Sequence, residues 1–184
     1  MRVEIASRQE LVNFMKQVEI TFEDERWASI NFEDMVTKAF NQTLAQLGYS
    51  KSDYFVSVLA CNDKKMRKLN LTFRNKDSST NVLSWPSRDR LSSTVGDNPK
   101  PLEQKLDAEL GDIALAYETC REEATQSKTN FVFHVQHLIV HGILHLLGYD
   151  HSSDADATLM EDLESQILGN LGVNAHTHLQ DKIV

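Results

Sequence analysis

The sequence has few cysteines and no long apolar run, and each shortage excludes a class of protein. Cys61 and Cys120 are the two cysteines in 184 residues. They are too few for a disulfide framework and lack CxxC spacing, so reduced thiols in a cytoplasmic protein are expected. The most apolar stretch, residues 131–147, contains four histidines and a glutamine, which predicts a buried helix rather than a membrane span. The N-terminus lacks a basic segment followed by an apolar run, so no signal peptide is expected.

Positive charge is also scarce. The chain has 19 Lys and Arg against 27 Asp and Glu, and its formal net charge of −8 argues against a polyanionic partner. Residues 62–90 are nevertheless net +5, because their eight basic residues outnumber three acidic ones. The basic residues are Lys64, Lys65, Arg67, Lys68, Arg74, Lys76, Arg88 and Arg90. This patch can neutralise a few phosphates, although residues 64–68 fit the solvated face of an amphipathic helix equally well.

Histidine, in contrast, is concentrated in the segment HGILHLLGYDH, residues 141–151. His141 and His145 are one helical turn apart, so their Cβ atoms lie on one face within roughly 6 Å of each other. Gly148 is expected to end the helix in a left-handed conformation, and the following turn brings His151 back. Three protein ligands leave the fourth tetrahedral position to water, as in catalytic zinc sites. We therefore predict one zinc ion per chain, bound by His141, His145 and His151.

Spacing alone does not select this set of ligands. Four histidines of the predicted helix lie within roughly 80° of arc on one stripe: His134, His137, His141 and His145. The glycine turn favours the C-terminal pair, because only that end of the stripe is close to His151. His137 is then expected to support a ligand or to fill the core, and His134 to be structural.

The position that carries the general base in zinc proteases is a glycine here. Their helix reads HExxH, and Gly142 replaces the glutamate, so peptide hydrolysis is disfavoured. Glycine at this position indicates either a close approach of substrate or of another chain, or tight packing alone. The sequence identifies no other general base. Asp150 is expected to orient a ligand histidine.

Three blocks of the sequence together resemble the YbeY family of bacterial metallo-endoribonucleases. They are LNLTFRNKDSSTNVLSWP (residues 69–86), ELGDIALA (residues 109–116) and HGILHLLGYDH. They occur in the order found in the family, and the resemblance extends from about residue 53 to about residue 169. Two positions depart from the family pattern: Asn81 stands where Asp is common, and Trp85 where Phe is common.

The resemblance implies that His141, His145 and His151 are the zinc ligands and that Arg74 is the functional arginine. Zinc would polarise a scissile phosphate or lower the pKa of its water towards about 7. Arg74 would hold the phosphate in a bidentate grip and stabilise the transition state. Lys76 lies two residues further in the same basic turn and is predicted to contact substrate.

The implied function is single-strand-specific, metal-dependent cleavage of RNA in 3′-end maturation of small-subunit ribosomal RNA and in late ribosome quality control. The implied partners are ribosomal RNA, the small ribosomal subunit and its assembly factors, in the cytoplasm, with no membrane or DNA partner. Two alternatives stay open at this point. The protein could be a non-catalytic assembly factor braced by zinc, or a metallohydrolase with a substrate other than RNA.

The predicted fold is α+β, with a small mixed four-stranded sheet packed against helices and the metal site at the end of the histidine helix. Residues 1–184 are expected to form one domain, with a motif-bearing core at about 53–169 and a polar tail at 170–184. Strands are predicted at residues 3–6, 54–61, 80–85 and 111–117. Helices are predicted at residues 32–47, after Asn62, from about Glu118, after Asn130, and from Ser152 or Ser153 to Gly169.

Overall fold

The structure, a computed structural model, describes residues 17–104 and 106–173. The strand predicted at residues 3–6 lies outside these residues. The strands are β1 (Val18–Phe22), β2 (Phe55–Cys61), β3 (Val82–Pro86) and β4 (Glu109–Ala116). The helices are α1 (Phe32–Gln46), α2 (Asp63–Arg74), α3 (Tyr117–Gln126), α4 (Phe131–Leu146) and α5 (Asp154–Asn170). Two short 3-10 helices, Glu25–Ile30 and Lys51–Asp53, precede α1 and β2.

The sheet is mixed, as predicted, with the strand order β1-β2-β4-β3. The pairs β1–β2 and β2–β4 are parallel, and β3 runs antiparallel to β4 at one edge. The α+β class is therefore confirmed. Strand β1 was not predicted, although its sequence VEITF alternates apolar and polar residues as a half-buried strand does. It is a short edge strand of five residues, in which only Val18 is buried.

Local capping signals set the helix boundaries. The side chain of Asn62 accepts a hydrogen bond from the backbone of Lys65 at the start of α2, and Asn130 caps α4 in the same way. Ser153 caps α5. Gly48 follows α1 with φ +77°, a conformation that favours glycine. These caps and the helix ends agree with the sequence predictions to within about two residues.

Two apolar cores lie on opposite faces of the sheet. The larger core packs one face against α1, α4 and α5, and the smaller one lies beneath α2 on the other face. Strand β4 contributes to both, since Ile113 and Leu115 face the larger core while Ala114 and Ala116 face the smaller. This arrangement fixes the histidine helix α4 against β3 and β4. No helix in the described part of the chain is long and apolar enough to cross a membrane.

The loop between β3 and β4 is tied to the end of the histidine helix by a buried arginine. Arg90 is only 4% exposed. Its guanidinium donates to the carbonyl of Leu146 at 3.0 Å and to the carboxylate of Asp107 at 2.8 Å. Arg90 therefore stabilises the fold and does not belong to the exposed basic patch in which sequence counting placed it.

Candidate metal centre

Three histidines from α4 and the turn after it come together at one point. The Nε2 atoms of His141 and His145 are 2.9 Å apart. The ring of His151 lies with its centroid 5.5 Å from that of His141 and 5.1 Å from that of His145. One nitrogen from each ring falls within 4.8 Å of the other two, close enough for a single ion to bind all three. The structure therefore brings together the trio selected from the sequence.

The turn that returns His151 to the site depends on Gly148. This glycine has φ +96°, which side chains of L-residues rarely adopt. A Cβ atom there would lie 2.7 Å from the Cβ atom of Arg90 and 2.9 Å from the Arg90 carbonyl group. Two features therefore require glycine at position 148. Its backbone is in the left-handed region, and Arg90 packs closely against it.

His145 is oriented by a backbone carbonyl. Its Nδ1 donates to the carbonyl oxygen of Tyr149 at 3.0 Å. Asp150, which was predicted to orient a ligand, has its carboxylate 3.9 Å from the same nitrogen, beyond hydrogen-bonding distance. Burial, together with the neighbouring His141 and His151, lowers the pKa of His145 to about 4. His145 is therefore neutral near pH 7, with its proton on Nδ1 and an unshared pair on Nε2.

His141 is oriented by Glu164 of α5, a residue that the sequence analysis missed. The Nδ1 of His141 donates to one carboxylate oxygen of Glu164 at 2.7 Å. The Nε2 of His137 donates to the other oxygen at 2.9 Å. Burial would raise the pKa of Glu164, but the hydrogen bonds from His137 and His141 lower it to about 2. An ionised carboxylate only accepts hydrogen bonds, so Nδ1 of His141 carries a proton and Nε2 is the ring nitrogen that faces His145.

These tautomers make the pair of imidazoles suitable for a metal ion. The Nε2 atoms of His141 and His145 face each other at 2.9 Å, while their Nδ1 atoms are engaged by Glu164 and Tyr149. A metal ion binds both Nε2 atoms when neither carries a proton. A set of three imidazoles without a thiolate is typical of catalytic zinc sites. The donor chemistry therefore fits zinc.

The other histidine of the stripe belongs to a separate network. His134 donates from Nε2 to Glu123 at 3.0 Å, and the amide of Asn81 donates to the same carboxylate oxygen at 2.9 Å. Gly142 faces the sheet, where a Cβ atom would lie 3.2 Å from side-chain atoms of Ile113 and Ser84. The glycine thus permits tight packing of α4 on the sheet, which was one of the two explanations considered for it.

Arg74 lines the same cleft as the three histidines. The cleft has a volume of about 670 Å³ and is bounded by β3, the start of the β3–β4 loop and the end of α4. Arg74 is the last residue of α2, not part of the turn, because Asn75 adopts φ +55° and ends the helix. The N–H of Lys76 closes this end by bonding to the carbonyl of Asn70 at 3.3 Å. Lys76 is exposed but is not among the residues that line the cleft.

Half of the cations in the basic segment, residues 62–90, are already paired with acidic side chains. Four of its eight cations make ion pairs: Lys65 with Glu23, Arg67 with Asp77, and both Arg88 and Arg90 with Asp107. Within the described residues, no ion pair involves Lys64, Lys68, Arg74 or Lys76. Arg74 is therefore an unpaired cation at the edge of the histidine cleft.

Comparison with known proteins agrees with these observations. A family profile described as "Endoribonuclease YbeY" matches residues 17–172. The protein named endoribonuclease YbeY in Ruegeria pomeroyi is 46% identical over 159 residues, covering 85% of this chain and 95% of that protein. The protein of the same name in Bartonella bacilliformis is 38% identical over 167 residues, covering 90% of this chain and 99% of that protein.

A solved structure supports the fold independently. The solution structure of a protein from Thermotoga maritima matches with a TM-score of 0.53 and 21% sequence identity, covering 86% of this chain and 93% of that one. At this identity the match bears on the fold alone. The profile and the two relatives each span most of the chain, and on these findings the chain belongs to the YbeY family of endoribonucleases.

Proposed function

We propose that this protein is a zinc-dependent endoribonuclease that cuts single-stranded RNA, with one zinc ion held by His141, His145 and His151. One observation carries the proposal: the Nε2 atoms of two imidazoles whose Nδ1 atoms are already engaged converge at 2.9 Å in the cleft that Arg74 also lines. A nitrogen-only donor set with room for a further ligand suits hydrolytic rather than structural zinc. The family to which the chain belongs favours RNA as the substrate.

On this proposal, different residues in and near the cleft have different roles in phosphodiester cleavage. When bound, zinc supplies Lewis-acid chemistry, which polarises a phosphoryl oxygen and provides a nucleophile near neutral pH. Arg74 presents a planar guanidinium that can grip two phosphate oxygens and stabilise the charge that builds in the transition state. Lys76, exposed just beyond the cleft, contributes attraction for the RNA backbone.

The proposed biological substrate is the single-stranded precursor at the 3′ end of small-subunit ribosomal RNA. On this proposal the partners are the small ribosomal subunit and its assembly factors in the cytoplasm, and residues 1–184 act as one domain. The support is the family membership and the match of residues 17–172. Single-stranded RNA fits a cleft in which the unpaired cations are few, because it has a lower charge density than a duplex.

The first prediction tests Arg74 by single-turnover cleavage of a short single-stranded RNA. Arg74→Lys keeps the charge but replaces the planar fork with a point charge, so cleavage should slow by about 10²-fold. Zinc content and thermal stability should stay at the wild-type level, because Arg74 is exposed. Arg67→Lys is the matched control, since Arg67 lies on the same helix but is paired with Asp77.

Three results would contradict parts of the proposal. Equal cleavage rates for wild type and Arg74→Lys would remove the phosphate-binding group. Full zinc content in His151→Ala, with His178→Ala as the control, would remove the third ligand. RNA binding without cleavage by the zinc-loaded wild type would favour a non-catalytic assembly factor instead.

A further inference from the structure

A single buried carboxylate joins two histidines of α4 that lie one helical turn apart. The side chain of His137 is 48% exposed and that of His141 is 24% exposed, whereas the side chain of Glu164 between them is 10% exposed. Each histidine occupies one carboxylate oxygen. We infer that Glu164 is a positioning residue of the metal centre and that His137 acts through it, holding the carboxylate in place for His141. The inference rests on the proposed zinc site.

The buried position of Glu164 on α5 indicates that this residue has a specific function. It occupies the buried stripe of α5 together with Met160 and Ile167, at intervals of four and three residues. A carboxylate at a core position loses hydration and is stable only when hydrogen bonds or charges compensate for the loss. Here both compensating donors are imidazoles of α4, and one of them belongs to the histidine trio. Helix packing alone would be served better by an apolar residue of similar size.

The geometry shows what the carboxylate does for the site. By accepting the Nδ1 proton of His141, Glu164 selects the tautomer whose Nε2 can bind a metal and stops rotation of the ring. The negative charge also makes Nε2 a stronger donor to a cation. His137 bonds to the second oxygen and thereby restricts rotation of the carboxylate itself. The chain His137–Glu164–His141 extends from the protein surface to the metal position.

The second prediction is that disrupting this chain weakens zinc binding while the zinc-free fold is retained. In Glu164→Gln the amide offers one acceptor where two donors must be satisfied, so zinc affinity should fall by about 10- to 100-fold. In His137→Phe the carboxylate loses one of its two anchors, and a smaller loss of about 10-fold is expected. Glu161→Gln is the matched control, because Glu161 lies one turn earlier on α5 and is exposed.

Zinc affinity is measured by competition with a chromophoric chelator, and the melting temperature is measured on the zinc-free protein. If His137 acts through Glu164, the double variant should bind zinc no more weakly than Glu164→Gln alone. Wild-type zinc affinity in both single variants would overturn the inference, as would a lower melting temperature with unchanged affinity, which indicates a helix clamp only. Absence of zinc binding by the wild-type protein would instead overturn the proposed metal centre, and the inference with it.

Discussion

The side chain of Asn81 makes hydrogen bonds through both the nitrogen and the oxygen of its amide. Its amide nitrogen donates to Glu123, and its amide oxygen accepts from the N–H of Val82 at 2.6 Å. Glu123 accepts from His134 through the same oxygen. An aspartate at position 81 could accept from Val82 but could not donate to Glu123. The asparagine is therefore matched to the glutamate next to it.

The third prediction follows from this pairing. Asn81→Asp should lower the free energy of unfolding at pH 7 by about 1–2 kcal/mol, because it removes a hydrogen bond and places two carboxylates side by side. The double variant Asn81→Asp, Glu123→Gln should regain most of the loss, since the new amide can donate to Asp and still accept from His134. Urea unfolding of the wild type, the single variant and the double variant measures these free energies of unfolding. Equal stability of wild type and Asn81→Asp would show that the bond contributes nothing.

Glu164 shows what residue-level sequence patterns predict and what they omit. The trio of histidines could be selected from the sequence because all three lie within eleven residues and His141 and His145 are one helical turn apart. Glu164 is 23 residues from His141 and reaches it only through the packing of α5 on α4. Local patterns do not encode that packing. A signal was present nevertheless, since a lone acid on the apolar stripe between Met160 and Ile167 requires a buried partner.

The C-terminal end of α4 is held in place by contacts between the helix, the turn after it and the β3–β4 loop. Arg90 of the β3–β4 loop bonds to the carbonyl of Leu146 and packs against Gly148. Helix caps and the glycine turn could be predicted from the sequence, because they depend on neighbouring residues. The role of Arg90 could not, because it depends on where a long polar loop folds back. The same limit explains why Arg90 was counted as a surface cation.

The fourth prediction concerns this turn. Gly148→Ala should destabilise the protein by about 3 kcal/mol or more, because it combines an unfavourable φ with overlap against the Arg90 backbone. It should also weaken zinc binding, since the turn carries His151. Gly48→Ala is the matched control: Gly48 has φ +77° but nothing within 4 Å of the Cβ position. That variant should lose about 1 kcal/mol and bind zinc normally. Thermal unfolding measures the stability of the two variants, and zinc titration measures their affinity for zinc. Similar losses of stability in the two variants would mean that the contact with Arg90 is unimportant.

At the scale of the whole molecule, charge distribution determines how an acidic protein approaches a polyanion. The formal charge of −8 divides into +5 for residues 62–90 and −13 for the remainder. Half of the cations in the basic segment are engaged by acidic side chains. The positive charge available to a polyanion is therefore limited to the few cations of this segment that have no acidic partner, and the remainder of the chain is net negative. Such a protein depends on the chemistry of its cleft more than on long-range attraction.

The fifth prediction expresses this as the salt dependence of RNA binding. Each phosphate neutralised on a single strand contributes about −0.7 to the slope of log K against log salt, so four unpaired cations predict a slope no steeper than about −3. All eight basic residues would give a slope between about −5 and −6. Lys76→Gln should make the slope less negative by about 0.7. Lys38→Gln should leave it unchanged, because Lys38 lies on α1, which packs on the opposite face of the sheet from α2, and is paired with Asp34. Fluorescence anisotropy of a short single-stranded RNA with zinc-free protein, from 50 to 300 mM salt, measures the slopes. A wild-type slope steeper than about −4 would show that RNA also engages cations outside this set, and that the ion pairs of the basic segment open on binding.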